Sequence, residues 1–356
     1  RVTLLFQDDG LPKMPDAFRR LGFPNIQLMP HRKIVQVGDV GAYCYQQGLM
    51  NSALAVRHGN TTVININDCE LTALDSKLIL DDLGSVDLTL NQFSLAGYNG
   101  SNDPETWSTA FAAGVIENLL TDHERLGASV TIPFASFIYF CRQDNAFLNK
   151  YCNRPSDVVD AAATRGIDVA VLTNGETYRF GSEWDSDAAV KHWNDVFERV
   201  EDLPCDPLVP VGLDTIAEAV ASRRRQLHEF YPSFVVGLVP SIVCEIPDLG
   251  VCATLDLAAG TIVETTDTQP ELRIHSEALH FAFATPFGLQ SIGVGARYIN
   301  LRNDAKWRRY RMLLSLNNAG VGLRPSKLAN REFLTTNAPR IRGAASQLKE
   351  QLRLIR

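Results

Sequence analysis

The residues best placed for chemistry are Asn67 and Asp68, near the end of the stretch Val63-Ile64-Asn65-Ile66-Asn67-Asp68-Cys69-Glu70. Here β-branched residues alternate with small polar ones and then stop at an acid, the pattern of a buried strand that delivers a carboxylate to the mouth of a sheet. The competing reading is that Asn67-Asp68 caps the next helix. Two more strand-like stretches end in polar groups: Val86 to Leu90 before Asn91-Gln92, and Val130 to Phe134 before Ser136 to Asn145. Loops beyond strand ends are where layered α/β folds bind ligands, which makes Asn65, Asn67, Gln92, Ser94, Arg142, Asp144 and Asn145 candidates for a cleft around Asp68. The Arg142 guanidinium suits either of two roles. It can form a charge-assisted pair with Asp68 that ties the sheet edges together, or it can clamp the carboxylate or phosphate of a small ligand.

The elements that must position these groups alternate along the chain. Val2 to Phe6, Ile26 to Met29 and Lys33 to Val37 read as strands, with a short helix over Pro15 to Leu21. Gly38-Asp39-Val40-Gly41 is a hairpin turn into Ala42 to Gln46, and Ser52 to Arg57 turns at His58-Gly59-Asn60 into the Asp68 stretch. Ala73 to Leu83 has helical spacing, and Pro104 to Arg125 is a long amphipathic helix with Trp107, Phe111, Val115, Leu119 and Leu120 as its apolar positions. A helix over Val158 to Arg165 and a strand over Val169 to Leu172 follow. Beyond the prolines at 204, 207 and 210, Ile216 to Tyr231 is helical. Phe234 to Val239, Ile242 to Ile246, Val251 to Leu257 and Thr261 to Glu264 read as strands, Glu277 to Phe283 as a helix, and Gly288 to Tyr298 as glycine-rich strand-like sequence.

A chain of 356 residues is too long for one typical core. The expected division is a first domain over 1–180, a connector over 181–212 and a smaller α/β domain over 213–356. The net charge of -7 argues against nucleic-acid binding, and Arg223-Arg224-Arg225 and Lys306 to Arg311 read as solvated helix faces. Seven cysteines without a C-x-x-C pair read as reduced thiols in a cytoplasmic protein. No apolar run reaches the roughly 18 residues of a membrane span. No phosphate loop, dinucleotide fingerprint or G-x-S-x-G motif is present, and Cys69 is a poor thiolate beside Asp68.

Asn65-Ile66-Asn67-Asp68-Cys69, then Val86 to Ser94, then Ile132 to Phe140 with Gln143-Asp144-Asn145 follow one another in the order seen in a known family. Together they resemble the later half of metallo-β-lactamase-fold proteins, in the branch related to CMP-N-acetylneuraminate hydroxylase, over roughly residues 1 to 180. The resemblance implies an αββα sandwich with one or two divalent metal ions, zinc, iron or manganese, along one edge. It places Asp68 where that fold has the carboxylate bridging two ions. The departures are informative. The H-x-H-x-D-H loop of the family is absent, and none of the seven histidines clusters. The chain opens without methionine, directly in a strand, so an N-terminal portion carrying that loop is expected to precede it. The later ligand histidines of the family fall near Gln47 and Arg142, and neither residue suits a cation. Gln47 thereby joins the cleft candidates.

The expected fold is α/β: a metallo-β-lactamase-like αββα sandwich, N-terminally incomplete, with a smaller C-terminal α/β domain. Two functions fit it. One is a metal-dependent hydrolase or oxygenase acting on a small polar or anionic molecule, its metal site depleted in this chain. The other is a non-catalytic binding or scaffold protein that kept the fold and lost the metal.

Overall fold

The computed structural model describes residues 2–8, 13–47, 51–267, 269–302, 305–318 and 322–324. The first elements are β1 (Thr3–Gln7), α1 (Lys13–Arg20) and β2 (Asn25–Met29), then β3 (Ile34–Val37), β4 (Val40–Gln47), β5 (Asn51–His58) and β6 (Thr61–Asn67). β3 to β6 form an antiparallel meander whose two tight turns place Gly38 and Gly59 at φ +62° and +57°. Those left-handed dihedrals are what a two-residue hairpin asks of its turn, and glycine adopts them without a Cβ clash. Next come α2 (Ala73–Leu83), β7 (Leu88–Gln92), α3 (Pro104–Leu126) and β8 (Val130–Phe134). The two helices are crossovers, so β7 and β8 add to β6 in parallel and complete a six-stranded sheet in the order β3-β4-β5-β6-β7-β8.

Alternation along the strands sorts the two faces of this sheet. Ile64 and Ile66 of β6 are fully buried and pack with Ile79, Leu83 and Leu126 of α2 and α3. Val63, Leu88, Leu90 and Ile132 face the other way and meet Ala170, Leu172, Tyr178 and Trp184. The expected strand at Val169 to Leu172 is present only as an isolated bridge between Thr131 and Val169. The αββα expectation calls for a second full layer. Among the described residues its counterpart is the two-stranded parallel β1–β2 sheet, seated through Leu5 and Met29 on Val35, Ala42 and Cys44.

The chain continues through α4 (Pro155–Ala163), α5 (Asp187–Phe197), α6 (Leu213–Phe230) and the short α7 (Ser233–Val236). It then forms β9 (Ile242–Ile246), β10 (Val251–Asp256), β11 (Thr261–Glu264), β12 (Leu272–Arg273), α8 (Ser276–Ala284), α9 (Gly288–Val294), β13 (Ile299–Asn300) and α10 (Ala305–Asn318). The five C-terminal strands make a second sheet, β11-β10-β9-β12-β13, whose core includes Cys244, Leu255, Leu272, Phe283, Trp307 and Tyr310. The expected 181–212 connector contains helix α5, whose Trp193 packs on Val171. Two strand expectations are corrected here. Phe234 to Val239 opens as helix α7, and Gly288 to Tyr298 as helix α9. Gly288 starts α9 against α8 so closely that a Cβ there would stand 2.1 Å from the Phe281 carbonyl oxygen.

The basic run Arg223-Arg224-Arg225 is not simply a solvated face. Arg223 is 4% exposed, and its guanidinium donates to the Phe283 and Thr285 carbonyls at the C-terminal end of α8. These carbonyls have no partner inside their helix, so a cation there satisfies both them and the helix dipole. Replacing Arg223 with alanine is expected to lower the unfolding free energy by about 1–3 kcal/mol in urea denaturation, because the buried Phe283 carbonyl loses its donor while Thr285 keeps the Gly288 amide. Arg223→Lys should fall between, since one ammonium cannot reproduce the two-pronged contact.

Candidate functional site

The three parallel strands end together, and their ends are irregular. The register between β6 and β7 shifts between Asn65 and Asn67, and Asn67 has φ +54°. This bulge turns the chain so that Asn67, Asp68, Cys69 and Glu70 all border one cavity of about 600 Å³. Asn67 Nδ2 donates to Asp68 Oδ1 at 2.8 Å. The alternative reading of Asn67-Asp68 as a helix cap is ruled out, because Thr72 caps α2 in a reciprocal box with Asp75. After β8, Ala135 has φ +62°, and the buried Ser136 hydroxyl accepts from the Phe93 and Ser94 amides. The loops after β7 and β8 are thus tied to each other at their roots.

Helix α3 supplies the opposite wall. Ala110, Gly114, Asn118 and Asp122 recur every four residues and all line the cavity. Asp122 is 3% exposed, and Asn91, at the end of β7, donates to its Oδ2 at 3.0 Å. Burial pushes the Asp122 carboxyl up to about 7, opposed by the Asn91 hydrogen bond and by Arg125 and reinforced by Asp75. A carboxyl poised near neutrality beside a cavity can give or take a proton at physiological pH, which an ordinary aspartate cannot. Its neighbour His123 points to the core instead. Desolvation lowers its pKa, and Nδ1 meets the Thr131 hydroxyl, itself paired with Thr89.

The expected site residues separate into two groups. Asn67, Asp68 and Gln92 line the cavity, with Gln92 donating to the Ser94 carbonyl. Gln47 lies off the cavity and donates to the Glu70 carbonyl. Asn65 carries a buried Oδ1 without a hydrogen bond, and the Ser94 hydroxyl is in the same condition. Arg142, Asp144 and Asn145 are drawn away from Asp68. The partner of Arg142 is Glu277 of α8, so the proposed Arg142–Asp68 pair does not form. Asp144 accepts from Arg297, and Asn145 donates to the Gly295 carbonyl. Asp122 and Asn91 were missed as site residues. The available signal was an acid three residues after Leu119 and four before Leu126, within an apolar helix stripe.

The residues present do not by themselves fit a divalent ion. Among the described residues no three His, Cys, Asp or Glu side chains are grouped to hold one. The acidic or thiol groups at the cavity are Asp68, Cys69, Glu70 and Asp122. Burial and the adjacent Asp68 push the Cys69 thiol up to about 12 and burial pushes the Asp122 carboxyl up to about 7, so a cation bound through either would have to displace its proton. No lysine, arginine or histidine lines the cavity among the described residues.

No family model and no curated protein matches the chain. Among solved structures it is similar to CmlA, a diiron β-hydroxylase from Streptomyces venezuelae, with 11% identity and a TM-score of 0.29 over 44% of this chain and 35% of that one. It is also similar to YhfI, a metallo-β-lactamase-fold protein from Bacillus subtilis, with 10% identity and a TM-score of 0.30 over 50% of this chain and 65% of that one. A third is Tm1679, a metal-dependent hydrolase of the β-lactamase superfamily, at 13% identity and a TM-score of 0.28 over 47% of this chain and 63% of that one. The chain therefore spans about a third of CmlA and under two thirds of the other two.

The raised Asp122 pKa fixes the sign of a pH effect. The folded state holds this proton more tightly than an unfolded aspartate of pKa about 3.9, so the stability it confers is complete below about pH 4 and is lost as pH rises through about 7. Asp122→Asn keeps the hydrogen bond from Asn91 and removes the charge. In chemical denaturation the variant should exceed the parent by about 2–4 kcal/mol at pH 8, with the difference gone by pH 4.

Proposed function

We propose that the chain is a metallo-β-lactamase-like protein whose working part is the cavity at the ends of β6 and β7, and that this cavity takes a small polar molecule that is neutral or positively charged. The observation that carries this reading is the lining. Asp68, Glu70 and Asp122 bring carboxyl groups, and Asn67, Asn91, Gln92 and Asn118 bring amides, with no cationic side chain among them. An anion would meet uncompensated like charge, whereas an amine or a hydroxyl-rich molecule would find acceptors and a donor in the protonated Asp122. The family resemblance over the first 180 residues supports the fold assignment, and the strand-end position supports the choice of cavity.

Asp122 would exchange a proton with the bound molecule, Asn91 would orient its carboxyl, and Asp68 would accept from the ligand on the opposite lip. Small residues on α3 leave the room. Gly114 sits in mid-helix, where glycine costs roughly 0.5–1 kcal/mol against alanine, and nothing lies within 4 Å of where its Cβ would be. The open space is what that cost secures.

The test is a thermal-shift and calorimetry panel with protonated Tris, spermidine, sorbitol and inorganic phosphate, on the parent chain and on Gly114→Leu. Leucine there should fill the cavity while leaving stability unchanged or raised by about 0.5–1 kcal/mol. Saturable binding of an amine or polyol that Gly114→Leu abolishes is the expected result, with none for phosphate. Binding of phosphate, or a stoichiometric metal in elemental analysis that Asp68→Asn removes, would overturn the proposal.

A further inference from the structure

We infer that the segment Val294–Asn300, which belongs to the C-terminal sheet region, is a working wall of the cavity, and that Arg142, Asp144, Glu277 and Arg297 form the positioning lattice that seats it. This rests on the reading of that cavity as the site. Val294 lines it together with Asp68, Asn91 and Asp122, yet Val294 ends α9 and is 63% exposed, so core burial does not explain its place. Its backbone lies against the loop after β7: a Cβ on Gly97 would stand 3.7 Å from Val294 Cα.

Two strand-end loops grip this segment, and the first of them, through Ala96 and Gly97, also lines the cavity. From the loop after β7, the Gly100 carbonyl accepts from the Asn300 amide at 2.6 Å, and the Asn99 carbonyl accepts from Asn300 Nδ2 at 3.1 Å. Gly100 has φ +80°, and a Cβ there would fall 2.4 Å from the Tyr298 ring, so only glycine permits the approach. From the loop after β8, Asn145 donates to the Gly295 carbonyl at 2.7 Å. Arg297 Nε donates to Asp144 Oδ2 at 2.9 Å and its Nη2 to Glu277 at 3.2 Å, while Arg142 holds the same Glu277 oxygen.

The lattice has two cations and two anions, with Asp206 a third anion 3.9 Å from Arg142 at its edge, and its inner pair is well enclosed, with side-chain exposures of 13% for Arg297 and 3% for Asp144. Enclosed charge of this kind recovers little net stability over an apolar replacement, because desolvation offsets the attraction. What it does impose is geometry: the planar guanidinium of Arg297 accepts one placement relative to two carboxylates on different elements. That placement fixes where Val294 stands, hence how far water reaches into the cavity.

Asp122 reports on this without any ligand. Its carboxyl can be titrated by carbon-13 NMR in the full chain, and Asn91, Arg125, Asp75 and Cys69 are the groups that interact with it. In Arg297→Met the wall should leave its seat, water should enter, and the apparent pKa should fall by roughly one or more toward the ordinary carboxyl range. The sign is diagnostic, since loss of a cation acting through space would raise it. Val294→Ala is a surface change that keeps the lattice and the fold, and it should produce a smaller fall in the same direction. A titration unchanged in both variants, with native circular dichroism, would overturn the inference. The ligand panel has a separate readout, so failure of one test does not stand for failure of the other.

Discussion

The seam between helix α3 and the strands β7 and β8 is the contact on which the rest of the site depends. On that face, alternation brings Thr89 and Asn91 of one strand and Thr131 of the next under the last turns of the helix. Each polar group there has a specific answer: His123 for the threonine pair, Asp122 for Asn91. A polar seam inside a sheet–helix interface is tolerable only when its members are satisfied, so it fixes both the rotation and the height of α3. The small-residue row of the helix then faces the open end of the sheet, and the cavity exists because of that orientation.

The same constraint accounts for the unusual state of Asp122. Beside the amide of Asn91 and away from solvent, the carboxyl lacks a close enough cation to stabilise its charge, and neutrality is the lower-energy state until near pH 7. Asp68, one strand away, sits at a bulged and more open lip. Two carboxyl groups of one cavity therefore differ in environment, the arrangement by which a site can separate acid and base roles.

The C-terminal sheet region is joined to this cavity through charge and backbone, and through Ala296, which is buried against Leu95, Tyr98, Phe140 and Leu148. The grips on Val294–Asn300 come from loop carbonyls, one asparagine amide and a four-membered ionic lattice. Contacts of this type are directional. They set position more than they add stability, which suits a junction where a wall must be held in register with a pocket.

Much of the first sheet was legible in the chain itself. The alternation through Val63 to Asn67, the glycines at the two hairpin turns and the long stripe of α3 each follow from local geometry, and they place Asp68 at a strand end. What local pattern left open is whatever is set by residues distant in sequence. Arg142 and Glu277 lie 135 positions apart, so an arginine at a strand end read as a clamp or as a partner of Asp68. The runs at Phe234 and Gly288 carry strand-like or glycine-rich composition, yet they fold as short helices, because packing against neighbouring elements outweighs weak local preference. Asp122 looked like one polar residue of an amphipathic helix. Only the tertiary structure buries it, since burial depends on which strand end meets that turn of the helix. The sequence by itself thus determined the strands, the turns and the acid at Asp68. The tertiary structure decided which second carboxyl joins it and which arginines do not, because desolvation and ion pairing are properties of neighbours in space.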